Sequence, residues 1–110
     1  MNLEVRELKH VSVVTITGRV DSATAPDLQK AIQDLLDSDH KQLVLDLKDV
    51  DYMSSAGLRV LVALQKAAKK IGGALRLAQL SVRVSEVLEL SGLTPVFEIY
   101  PDVVEAVGAV

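Results

Sequence analysis

Apolar positions change their spacing along the chain, and the changes mark the elements. Leu3 to Leu8 and Val11 to Thr17 are short runs rich in β-branched residues, parted by Lys9-His10, which predicts a hairpin of two strands. Gly18 is expected to end the second strand. Beyond it the period turns helical: Leu28, Ala31, Ile32 and Leu35 fall at i, i+3, i+4 and i+7. Thr24 and Asp27 have the spacing of a capping pair, and Pro26 suits only a first turn. Gln42 to Leu47 is a compact apolar run that fits a strand buried on both faces, with Asp49 to Met53 following as a loop or a short extended continuation.

A second helix is expected to begin near Ser54 or Ser55, where Gly57, Leu61, Leu64, Ala68 and Ile71 share one face. Lys66, Lys69 and Lys70 lie near its end, where cations complement the helix dipole, and Gly72-Gly73 stops it. Ala74 to Leu80 predicts a strand, Ser81 to Ser91 a short helix closed by Gly92, and Val96 to Tyr100 a last strand introduced by Pro95. Asp102 and Glu105 form a capping pair for a terminal helix after Pro101. The order is β-β-α-β-α-β-α-β-α. Alternation of this kind implies crossover connections, hence a single α/β domain over residues 1–110 with a mixed, mostly parallel sheet of four to five strands flanked by helices.

Composition narrows the function. The chain has 110 residues, with 49% apolar and 25% charged positions, an ordinary globular balance. Its aromatics are only Phe97, Tyr52 and Tyr100, and its net charge is −3, so it lacks both the stacking surface and the basic field of a nucleic-acid binder. With no cysteine, thiolate catalysis and Cys-ligated metals are excluded. No stretch has the apolar length of a transmembrane helix, and the acidic start Met1-Asn2-Leu3-Glu4 is not a signal peptide, so a cytoplasmic protein without direct membrane insertion is expected. Asp46, Asp49 and Asp51 invite comparison with a metal cluster, but Asp46 lies within a strand and the others alternate with Val50, as in a solvated acidic loop. His10 and His40 fall in separate turns with no recognisable partner.

The informative stretch is Leu45 to Leu64, in which a buried strand runs through acidic residues into Ser-Ser-Ala-Gly-Leu at the mouth of a helix. Free backbone N–H groups and the positive dipole end favour an anion there. A serine at that point can cap the helix or carry a phosphate. On these grounds alone, the plainer reading stands first: Ser54 is a simple N-cap, Ser55 a first-turn residue and Gly57 a packing residue. No nucleophile elbow and no P-loop is present, which argues against an enzyme and for a phosphoryl acceptor. No cofactor is implied.

The run Tyr52-Met53-Ser54-Ser55-Ala56-Gly57-Leu58 resembles the (Y/F)-(M/I)-D-S-(S/T/A)-G-L signature of STAS domains, especially bacterial anti-sigma factor antagonists. Gly18 to Ala25 is similar to the family's G-x-(L/V/I)-D-x-x-(T/N)-A segment, Leu43 to Leu47 to its central strand, and Ser91-Gly92-Leu93 to its late turn. The resemblance spans nearly the whole chain in the family's order. It implies that the unphosphorylated protein binds an anti-sigma factor that is itself a serine kinase. That kinase phosphorylates the serine two residues before Gly57, which is Ser55, and a separate serine phosphatase resets it. It also implies a partner-binding surface of Asp21, Ser54, Ser55, Ala56, Gly57 and Arg59. Two positions depart from the pattern: Ser54 replaces the usual Asp and offers a competing acceptor, and Arg59 replaces a common Gly, adding charge to the surface. Asp21 fits either a surface-shaping acid near Ser55 or a loop Asp bonding nearby backbone N–H groups. A second function stays open, a STAS accessory subunit of a phospholipid-trafficking ABC transport system.

Overall fold

A computed structural model describes residues 1–109. Its elements are β1 (Asn2–Leu8), β2 (Val11–Val20), α1 (Ala25–Asp37), β3 (Gln42–Met53), α2 (Ser55–Lys70), β4 (Ala74–Ala78), α3 (Val82–Leu90), β5 (Glu98–Tyr100) and α4 (Val103–Gly108). The predicted order therefore holds. One five-stranded sheet runs β1-β2-β3-β4-β5, with β1 antiparallel to β2 and the remaining neighbours parallel.

Every crossover steps to the next strand in the same direction, and crossovers share one hand, so α1, α2 and α3 cover the same face. The main core lies there: Ile16, Leu43, Leu45 and Leu47 from the sheet meet Leu28, Ile32, Leu61, Leu64, Val84 and Leu88 from the helices. Alternate residues of the same strands, Val11, Val13, Val44 and Ala78, face the other way and are covered by Ala106 of α4. β3 is thus buried on both faces from Leu43 to Leu47, as its unbroken apolar run predicts.

Several boundaries differ from the sequence reading. Gly18 does not end β2: it takes φ +99° at a register irregularity, and the strand runs on to Val20. Of the two readings of Asp49 to Met53 the extended continuation holds, because Thr17, Gly18, Arg19 and Val20 pair with Asp49, Val50, Tyr52 and Met53. β4 stops at Ala78 rather than Leu80. Pro95 lies in a 3₁₀ turn, Thr94–Val96, so the last strand starts at Glu98. Ile71 caps α2 and is exposed instead of joining its buried face. Thr24 and Asp27 form no side-chain cap, since Thr24 Oγ1 turns back to donate to the Arg19 carbonyl and to accept from the Asp21 N–H. Asp102 does cap α4, accepting from Glu105 N–H at 2.8 Å.

Two polar clusters were not visible in the sequence. His40 does have partners: its Nδ1 lies 3.3 Å from both Glu7 Oε1 and Ser12 Oγ, tying the first hairpin to the α1–β3 connection. On the α4 side of the sheet, buried Asp46 accepts from Gln79 Nε2 at 3.0 Å and from the Lys48 N–H. Asp46 is thereby committed to structure, and among the described residues no three acids or histidines gather as a metal site would require. No described helix is long and apolar enough to cross a membrane.

Candidate functional site

The long ends of β2 and β3 build the site. Their last paired residues are Val20 and Met53, so Asp21 and Ser54 leave the carboxyl edge of the sheet side by side, where ligand and partner sites of parallel sheets commonly form. Ser54 N–H donates to the Val20 carbonyl at 2.8 Å, which fixes the turn from strand into helix.

Ser54 is the N-cap of α2. Its backbone is extended (φ −86°, ψ 172°) and its Oγ accepts from Gly57 N–H at 3.3 Å. Ser55 is the first helical residue, exposed, and its hydroxyl makes no hydrogen bond among the described residues. The two serines thus have different duties: one hydroxyl is occupied by the backbone and the other is free. Gly57 explains how the helix starts so close to the sheet. A Cβ on it would stand 2.6 Å from Met53 Sδ and 2.8 Å from Val20 Cγ1, so only glycine fits without a shift.

Asp21 organises the facing loop. Its Oδ1 accepts from the Ala23 and Thr24 N–H groups at 2.9 and 3.1 Å. The Thr24 backbone bond is the largest cause that holds its carboxyl below the usual range, with the bonds from Ala23 and the Thr24 hydroxyl and the nearby Arg19 charge adding to it. Arg19 reaches along this edge, with Nε 3.6 Å from Asp21 Oδ2 and its guanidinium 4.3 Å from the centre of the Tyr52 ring. Arg19 and Tyr52, which the predicted partner-binding set leaves out, are members of the site. They pair across β2 and β3, and that pairing is invisible when β2 is thought to end at Gly18.

Two surface depressions flank α2. One, of about 370 Å³, lies between the starts of α1 and α2 and includes Ser22, Ala56, Arg59 and Val60. The other, of about 550 Å³, lies between α2 and the turn after α3 and includes Ser55, Leu58, Val62, Lys66 and Leu93 as well as Arg59. Arg59 is therefore a ridge between both, and Ser55 lies at the margin of the larger. Of the six predicted partner-binding residues, Ser55 and Arg59 are exposed, Ser54 and Ala56 are half-buried, Gly57 is buried as a spacer, and Asp21 stands beside them as the loop Asp that bonds backbone N–H groups.

Known proteins have the same frame. The family model described as the STAS domain matches residues 2–106. The anti-sigma-B factor antagonist of Bacillus subtilis is 35% identical over 99 residues, covering 90% of both chains. The anti-sigma-F factor antagonist RsfB of Mycobacterium tuberculosis is 31% identical, covering 91% of this chain and 81% of its own. Among solved structures, an anti-sigma factor antagonist from Mycobacterium paratuberculosis superposes with a TM-score of 0.90 at 30% identity, covering 99% of this chain and 92% of that one.

Proposed function

We propose that this chain, which belongs to the STAS domain family, is an anti-sigma factor antagonist whose grip on its partner is switched at Ser55. Unphosphorylated, it binds an anti-sigma factor through the surface around the start of α2. That partner, acting as a serine kinase, transfers the γ-phosphoryl group of its own bound ATP to Ser55 Oγ, releasing ADP, with the hydroxyl proton passing to a base on the kinase. The phosphorylated chain dissociates, and a serine phosphatase returns it to the binding state. The chain acts in the cytoplasm, touches no nucleic acid and supplies no catalytic group.

The observation that carries this reading is the free, exposed hydroxyl of Ser55 on the first turn of α2, at the margin of the larger groove. A phosphate there adds about −1.5 to −2 charges and is tolerated by the fold, because the helix N-terminus favours anions. Inside a docked interface the same charge must be desolvated or repelled. A penalty of about 2.7 kcal/mol already lowers affinity a hundredfold, so no change of conformation is needed. The names of the relatives favour this reading over a transport accessory.

The test compares Ser55→Ala with Ser55→Asp in titrations against the anti-sigma factor. Ser55→Ala is expected to stay folded, to bind and to refuse phosphate. Ser55→Asp is expected to hold or gain fold stability while binding more weakly, at one ionic strength throughout. Equal affinities at equal stability would put Ser55 outside the interface.

A further inference from the structure

The two edges of the sheet are managed differently. β5 has three residues and is bracketed by Pro95 and Pro101, a short edge of the kind that resists pairing. β1 has seven residues in continuous register with β2, without proline or bulge, and among the described residues its outer side pairs with no strand. Val5 and Leu8 on it are 47% and 38% exposed.

The turn fixes which backbone groups are free. Lys9 and His10 form a two-residue loop, Lys9 with φ +59°, closing the pair Leu8↔Val11. A loop of that length places its flanking residues in a pair that exchanges both hydrogen bonds. Alternation then directs the amides of Asn2, Glu4, Arg6 and Leu8 to β2, and those of Leu3, Val5 and Glu7 to the open edge.

The geometry points to a second copy of this chain as the occupant, paired antiparallel through β1 about a two-fold axis at Val5. In that register Val5 meets Val5 of the other copy and Leu3 meets Glu7, each through outward-facing amides. Glu4 and Arg6 then stand directly opposite one another twice, in the closely spaced pairs that exchange no backbone bonds. Sliding one way sets Glu4 against Glu4, and the other way Arg6 against Arg6. Charges on an edge strand usually prevent pairing; here their order leaves one register open. Neither Glu4 nor Arg6 has an ion-pair partner within its own chain among the described residues. No β1 residue lines the grooves beside Ser55, so the dimer carries two unobstructed sites on one continuous sheet.

A strand pair of this length buries less than a standard interface of about 1,600 Å², so a weak, concentration-dependent dimer is expected. Sedimentation velocity of the full chain, from low-micromolar to near-millimolar concentration, reads it. Arg6→Glu opposes like charges twice and is expected to weaken the dimer roughly tenfold or more. The exchange Glu4→Arg with Arg6→Glu restores the opposition and is expected to recover it. Val5→Pro removes an outward N–H without touching the β1–β2 ladder, and is expected to abolish dimerisation at an unchanged melting temperature. Should Val5→Pro unfold the chain, the charge pair still decides, since both side chains are exposed. A monomer at every concentration, a dimer indifferent to Arg6→Glu, or a double variant as weak as the single one would each overturn the proposal.

Discussion

Gly57 is the residue on which the approach of α2 to the sheet depends. Alanine gains about 1 kcal/mol over glycine in a helix interior. Here its methyl would press on Met53 Sδ and Val20 Cγ1 at 2.6 and 2.8 Å, and the Val20 carbonyl at 3.3 Å leaves little room to yield. Overpacking of this kind costs about 1–3 kcal/mol, so Gly57→Ala is expected to be net destabilising in urea unfolding despite its better propensity. Asp21 makes a pH prediction. Its folded-state carboxyl is held below the usual aspartate range, chiefly by the Thr24 backbone bond, so its ionised form stabilises the fold above the unfolded pKa. That contribution is lost as pH falls through the lowered folded pKa. Thermal melts of wild type and Asp21→Asn are therefore expected to differ at neutral pH and to converge in the acid range below 3.8.

Among the elements, α2 was the most legible, because its period, its serine start and its Gly-Gly stop agree. The sequence starts it at Ser54 or Ser55, and the structure makes Ser54 the N-cap, as the plain reading of that serine has it. Ser54→Ala is expected to cost about 0.5–2 kcal/mol in stability while disturbing partner binding less than Ser55→Asp, measured by melts and titrations of the same samples. The strand ends were less legible. Gly18, Asp49 and Asp51 have low strand propensity, so the sequence ends β2 at Gly18 and leaves Asp49 to Met53 open between loop and extended chain. Pairing between β2 and β3 overrides that local preference, with Gly18 absorbing the irregularity at positive φ. The Arg19–Tyr52 contact depends on this extension, so no local pattern could reveal it. At Pro95 the fixed φ suits a 3₁₀ turn as well as a strand approach, and the Val96-to-Leu93 and Phe97-to-Thr94 backbone bonds separate the two.

For the whole molecule, an aliphatic core on one face of the sheet follows from short crossovers and the alternation of apolar residues, and both were readable in the sequence. The central strand anchors it. Leu45 is fully buried between β2, β4 and the helices, so Leu45→Ala is expected to cost about 2–5 kcal/mol, seen as a lower urea midpoint. This rigid frame presents a small, nearly pre-formed surface at the carboxyl ends of β2 and β3, where one free hydroxyl stands at a helix N-terminus. A phosphate there alters the surface and leaves the core intact. Phosphopeptide mapping of the chain purified from its native cells, alongside Ser54→Ala and Ser55→Ala, tests this account most directly. It predicts one phosphoryl group, on Ser55, retained in Ser54→Ala and lost in Ser55→Ala. Phosphate on Ser54 alone, or phosphorylation that persists in Ser55→Ala, would contradict it.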